Sequence, residues 1–275
     1  MTRILNLHRR NTSNVGDIKT SPFDYFSNKG WTVRKHDLLD CQNESSRESW
    51  ERSFNDAECI VIGGGGLLDI DFFEGALAET YARRRASQRL VLWGAGHNHY
   101  WVGGWSQMRR HVDLLPYNYD LVGLRDVSDT YKWAPCVSCM DPIFDNSFDI
   151  KRNVVLYKHV EMVLGEFEMS ILPPDITIID NYTPFEEVIE TLGSSRLVLT
   201  SSFHGAYWAT LLKRKVVAFP FSSKFYGLKH SVPLCDVRDW QRYSKLARVY
   251  PDALSECRSA SVDFHEEFKS LLSAG

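Results

Sequence analysis

The sequence predicts an α/β chain of two Rossmann-like halves facing each other across a cleft, each a parallel sheet with crossover helices. Three observations predict it. Strand-like runs alternate with helical stretches along all but the last 40 or so of the 275 residues, the rhythm of strand–helix–strand units. The strands are continuous apolar runs rather than alternating ones, as when helices cover both faces of a sheet. The rhythm pauses after Asp141-Pro142 and then starts again. With 44% hydrophobic and 13% aromatic residues, the chain can build a sizeable core.

In order, strands are expected at Ile4–Leu7, Trp31–His36, Glu58–Gly66, Arg89–Gly96 and Asp120–Asp126. Helices are expected near Ser46–Phe54, Phe72–Arg85 and Val127–Trp133, and a short strand at VSCMDP, residues 137–142. The second half brings strands at NVVLY, DITIID, RLVLTSS and KVVAF, with helices starting at Pro184 and after His204. These runs divide the chain into residues 1–148, 149–235 and a C-terminal helical part, 236–275, expected to pack back across both halves.

The formal charge of −3 gives no global pull toward nucleic acid or an anionic membrane, so an anionic ligand needs a local cationic cluster. No run approaches the roughly 18 apolar residues of a membrane helix. The apolar stretch in MTRILNLHRR is short for a signal peptide. A soluble, cytoplasmic protein with reduced thiols is the expectation. Cys136 and Cys139 form a single CxxC, read as two buried thiols in a strand rather than half of a metal or redox site. The run Arg83-Arg84-Arg85 reads as a solvated helix end.

In open parallel sheets ligands bind beyond the C-terminal ends of the strands. That rule selects Asn14 and Asp17, Gly63–Gly66, Gly94–His99, Arg125 and Asp126, Asp141, and Ser201–His204. Thr200, Ser201 and Ser202 are competent caps for the helix that follows, whose N-terminus suits a phosphate or carboxylate. His204 in its first turn adds a proton donor; the competing reading is a serine cap beside a packed histidine. Gly64, Gly65 and Gly66 match neither GxGxxG nor a P-loop, and let a backbone approach a ligand or another loop. Arg125 can grip an anion in bidentate fashion or pair with Asp126. His97 and His99, beside Tyr100, Trp101 and Trp105, signal no third metal ligand and suit a sugar-stacking surface or a packed aromatic loop.

Taken together and in order, these pieces make the chain resemble the polysaccharide pyruvyl transferases. They are Asn14-Val-Gly16-Asp17, Val61-Ile-Gly-Gly-Gly-Gly-Leu67, Leu92-Trp-Gly-Ala-Gly96, Arg125-Asp-x-x-Ser128, Asp141-Pro142, Ser201-Ser-x-His204-Gly205 and Lys224. Where many members carry arginine, this chain has Ser202, which leaves more of a donor's charge to Arg125 and Lys224. The resemblance implies a GT-B-like fold and transfer of pyruvate from phosphoenolpyruvate to a sugar, giving a cyclic ketal and phosphate. It implies donor contacts from Arg125, Ser128, Ser201, Ser202 and Lys224, with His204 as general acid and Asp17 as base. Asn14, Gly64, Gly65, Gly66, His97 and His99 would line the acceptor side. No metal or redox cofactor is implied. The acceptor is a sugar or oligosaccharide, with a lipid-linked precursor and the inner face of the cytoplasmic membrane within the family's range. Two alternatives stay open: a glycosyltransferase using a nucleotide sugar, and a non-catalytic carbohydrate-binding protein.

Overall fold

The computed structural model describes residues 1–100 and 114–274. The first half contributes β1 (Thr2–His8), α1 (Val15–Ile18), β2 (Trp31–Asp37), α2 (Glu44–Asp56), β3 (Cys59–Leu68), α3 (Asp71–Arg83), β4 (Arg89–His97), β5 (Leu121–Leu124) and β6 (Lys132–Trp133). Its strands form one parallel sheet in the order β2-β1-β3-β4-β5-β6. The second half contributes β7 (Arg152–Lys158), α4 (Glu166–Ser170), β8 (Thr177–Asp180), α5 (Phe185–Gly193), β9 (Ser195–Thr200), α6 (Phe203–Leu211) and β10 (Lys215–Ala218). These strands form a second parallel sheet, β10-β9-β7-β8. The chain ends in α7 (Trp240–Ser244) and α8 (Ala253–Ser273).

Continuous apolar strands follow from double coverage. Leu5, Leu7, Ile60, Ile62, Leu90 and Leu92 pack into the core under α2 and α3. The residues between them, Ile4, Cys59, Val61, Val91 and Trp93, face the opposite core. Side chains alternate across a strand, so both parities must be apolar when both faces are buried. The second sheet repeats this, with Val155, Tyr157 and Val198 on one side and Leu156, Leu197 and Leu199 on the other.

Three local expectations are corrected. Residues 127–133 form no helix: the Ser128 hydroxyl accepts from the N–H groups of Thr130 and Tyr131, a local turn that competes with helical bonding, and Lys132–Trp133 then pairs with β5. Val137–Met140, expected as strand, is a 3-10 turn, though the thiols are buried and free as read. The glycine run, which the strand-end rule placed in a ligand loop, lies inside β3, as the expected strand Glu58–Gly66 has it. A Cβ on Gly64 would sit 2.8 Å from the carbonyl oxygen of Thr20, so the strand takes glycine there to let the segment after α1 lie against it.

Helix α8 ties the halves together. Its Ala253 and Cys257 belong to the core of the second sheet, while Phe264 packs edge-on and Phe268 at a tilt against Trp93, at 5.0 and 5.2 Å, in the core of the first. Arg258 donates to the carbonyl oxygen of Cys139 at 2.8 Å and pairs with Asp145. Gly123 lies beneath this contact: a Cβ there would fall 2.5 Å from Phe264 and 2.6 Å from Ala134. Gly123→Ala is expected to cost roughly 1–3 kcal/mol by overpacking, read as a fall of several degrees in Tm. An unchanged melting curve would show that α8 yields at no cost.

Among the described residues, no helix is long and apolar enough to cross a membrane.

Candidate active site

A cavity of ≈ 360 Å³ opens where the two sheets face each other. The loops after β1, β3, β4 and β5 line one wall, and those after β7, β8, β9 and β10 the other. Asn14, Asp17, Gly66 and Arg125 come from the first half; Ser202, His204 and Lys224 come from the second. All seven are sequence-selected residues.

Its two ends differ. Arg125, Lys224 and His204 are 4%, 7% and 5% exposed, whereas Phe72 and Tyr182, on opposite halves, are 62% and 60% exposed. The inner end is therefore cationic and dry, and the outer end aromatic. Arg125 lies with its guanidinium carbon 3.9 Å from the centroid of Phe203 and donates to the His97 carbonyl oxygen at 2.9 Å, so its fork is fixed before any ligand arrives. Arg9, held by an ion pair with Asp37, adds a third positive side chain. The N-terminus of α6 brings Ser202, Phe203 and His204 to the same wall.

His204 sits tightly. Its ring packs on Trp208, centroids 4.9 Å apart, and Gly16 lies against its Nδ1 side so closely that a Cβ would overlap the ring. Nε2 lies 3.6 Å from Cys136 Sγ. Val15 and Asn14 reach across to Asn181: the N–H of Val15 donates to the Asn181 carbonyl oxygen at 2.9 Å, and Asn181 Nδ2 donates to Asn14 Oδ1 at 3.2 Å. On another flank Ser223 and His99 exchange hydrogen bonds of 2.9 Å. The cleft is thus stitched on both sides of the cavity.

Charge and burial set the ionisation states. Burial, then Arg125, Lys224 and His159, hold His204 well below the usual histidine range, so its imidazole is neutral. Burial pushes Asp17 up, against the pull of Lys224, Arg9 and Arg125. Burial lowers Lys224 to about 8, with Asp17 opposing. Burial and then Lys224 bring His159 down to about 3. The lowered His204 runs against an acidic His204, while the raised Asp17 holds a proton more readily and makes its carboxylate the stronger base.

Of the remaining sequence-selected residues, Ser201, Ser128, Gly64, Gly65, His97 and His99 lie outside the cavity lining. The Ser201 hydroxyl is fully buried and accepts from the His159 N–H at 2.8 Å. Ser202 occupies the N-cap position without a capping bond; its hydroxyl accepts from Asn181 Nδ2 at 3.3 Å. Ser128 holds its own turn. Gly64 and Gly65 pack against the Thr20 segment. His97 and His99 flank Asn98, which lines the cavity in their place, because neighbours at a strand end point to opposite sides. Of the aromatic loop, Trp101 and Trp105 lie outside the described residues. Among the described residues, no group of three or more His, Cys, Asp or Glu side chains could hold a metal ion.

A family model described as "Polysaccharide pyruvyl transferase" matches residues 3–223. The chain belongs to that family. It is accordingly a transferase acting in polysaccharide modification, with a sugar or polysaccharide acceptor. No curated protein matches the chain. Among solved structures, an α-glucosyltransferase in complex with UDP-glucose and DNA containing an abasic site is 12% identical, with 98% of this chain and 99% of that chain covered at a TM-score of 0.51, a likeness of fold. Anabaena Alr3699/HepE in complex with UDP and glucose is 12% identical over 100% of both chains, with a TM-score of 0.46.

Sequence reasoning missed Arg9, His159, Glu161 and Asn181, all of which line the cavity. Each follows a strand, β1, β7 or β8, so the strand-end rule that selected the others reaches these as well.

Proposed function

We propose that the cavity binds phosphoenolpyruvate at its cationic inner end and a sugar at its aromatic mouth, and transfers pyruvate to the sugar as a cyclic ketal. The observation that carries this reading is the gathering of Arg125, Lys224, His204 and the start of α6 around one raised carboxyl, Asp17. A small polyanion matches that set: the guanidinium fork takes a carboxylate or phosphate, and the helix N-terminus the other.

A neutral His204 is a poor acid, so the proposal gives the protonating step to Asp17, whose raised pKa suits it to hold a proton and to take one back. In its protonated form the Asp17 carboxyl gives its proton to the methylene carbon, leaving C2 electrophilic. A sugar hydroxyl attacks C2 and gives its proton to the Asp17 carboxylate, which restores the acid. The C2–O bond to phosphate then breaks, with Lys224, Arg125 and a hydrogen bond from neutral His204 stabilising the departing charge. A second hydroxyl closes the ketal, and its proton leaves with the phosphate. These are proton transfers and displacements at carbon, so the proposed cycle uses phosphoenolpyruvate as co-substrate and no other cofactor. Phe72 and Tyr182 offer ring faces to the acceptor.

The test is phosphate release with phosphoenolpyruvate across a panel of β-galactosides, glucosides and mannosides, with mass spectrometry of the product and UDP-glucose as a second donor. Release that needs both partners, and a product heavier by one pyruvyl ketal, is expected. Turnover of the nucleotide sugar alone would overturn the reading. Lys224 is charged below about pH 8 and neutral above, so kcat/KM for phosphoenolpyruvate should fall as pH rises through that value. A profile flat from 7 to 9 would remove Lys224 from the donor site.

A further inference from the structure

We infer that Cys136, backed by Ser138 and Trp208, fixes the tautomer of His204, so that the neutral imidazole presents Nδ1–H toward the cavity. Four side chains form one buried line. Trp208 Nε1 lies 2.9 Å from Ser138 Oγ, Ser138 Oγ 3.2 Å from Cys136 Sγ, and Cys136 Sγ 3.6 Å from His204 Nε2. Ser138 and Trp208 are fully buried, and Cys136 is 1% exposed.

The direction of the line follows from which groups can only donate. An indole N–H has no lone pair to offer, so Ser138 Oγ accepts from Trp208. The hydroxyl proton of Ser138 then needs an acceptor, because a buried donor left unpaired costs about 1–3 kcal/mol. Cys136 Sγ is the acceptor placed for it among the described residues. The sulfur receives that bond, and the backbone N–H of Ser138 points at it as well. Its own S–H is left to point at His204 Nε2. Nε2 therefore accepts, and the single proton of the neutral ring resides on Nδ1. The reverse order, Nε2–H to sulfur, brings a third donor onto Sγ beside the hydroxyl and N–H of Ser138 and leaves the S–H without an acceptor among the described residues.

Nδ1 lies on the side of Gly16, whose neighbours Asn14 and Asp17 line the cavity. With Nε2 held by Cys136, Nδ1–H is the polar group left to a ring that lines the cavity. A thiol suits this task in a way a carboxylate does not. Burial keeps Cys136 protonated, so it orients the ring without adding the negative charge that would draw a second proton onto it. The tautomer stands on these contacts alone; its weight in catalysis rests on the role given to His204 above.

The test is a long-range 1H–15N correlation of the His204 ring in 15N-labelled full-length protein at about pH 7.5, well above the lowered pKa of that ring. His204→Phe identifies the signals. Expected are a protonated-type Nδ1 and a bare Nε2 in the wild type, a shift toward the Nε2–H form in Cys136→Ala, and recovery in Cys136→Ser. A wild-type ring carrying its proton on Nε2 overturns the inference without recourse to any variant. So does a folded Cys136→Ala protein with an unchanged tautomer. In phosphate release, Cys136→Ala should lose about tenfold in kcat, and Cys136→Ser should regain most of it. A wild type that releases no phosphate from phosphoenolpyruvate with any acceptor would remove the proposed function and leave the tautomer result standing.

Discussion

Asp17→Asn is expected to lower phosphoenolpyruvate-dependent phosphate release by about 10²–10⁴-fold, while the melting temperature holds or rises. The substitution keeps the shape of the side chain and removes the proton that the proposed cycle needs. The stability half follows from linkage. Burial raises the folded-state pKa of Asp17 above its unfolded value, so the native protein binds the extra proton. Stability from this group is full below the unfolded pKa and declines as pH climbs through the window up to the folded one. At neutral pH an amide removes that penalty. A variant with kcat within a few-fold of wild type would sink the assignment of Asp17, whatever its Tm. A collapse of the fold would show that the carboxylate is held by partners stronger than Lys224, Arg9 and Arg125.

Gly16→Ala is expected to cost about 10²-fold in kcat although it alters no chemical group in the cavity. A methyl at this position would overlap His204, with Cγ at 2.7 Å and Cε1 at 2.9 Å and Nδ1 nearer still. The ring has nowhere to retreat, since Trp208 backs it at 4.9 Å and Cys136 stands at Nε2. The first turn of α1 must move instead, and it carries Asp17 with it. Displacement of a catalytic group by about 1 Å is enough for a hundredfold loss. Donor KM should change less than kcat, because Arg125 and Lys224 come from other loops. Wild-type kcat in this variant would mean that α1 and His204 need no fixed spacing.

The central strands were legible because they are unbroken apolar runs, and burial on both faces demands that at every position from Cys59 to Ile62 or Leu90 to Trp93. Residues 127–133 were not, because helix and turn compete within a few residues there and one hydroxyl, that of Ser128, decides between them. Strand ends marked Asp17, Arg125, His204 and Lys224, yet could not say which way a side chain turns. Ser201 is buried against His159 for that reason, and Asn98 rather than His97 or His99 faces the cavity. The meeting of Cys136 with His204 joins positions 68 residues apart, a pairing that only the docking of one half on the other creates. Ionisation states were out of reach for the same reason, since burial in a shared cavity sets them.

The seams between Asn14 and Asn181, His99 and Ser223, and Val127 and Gly227 leave little room for a hinge. With α8 anchored in both cores, the enzyme is built as a fixed vessel rather than a closing jaw. For the proposed reaction the expected order is donor first, reaching the inner end before a bulky acceptor fills the aromatic mouth, and a random-order initial-rate pattern would count against it.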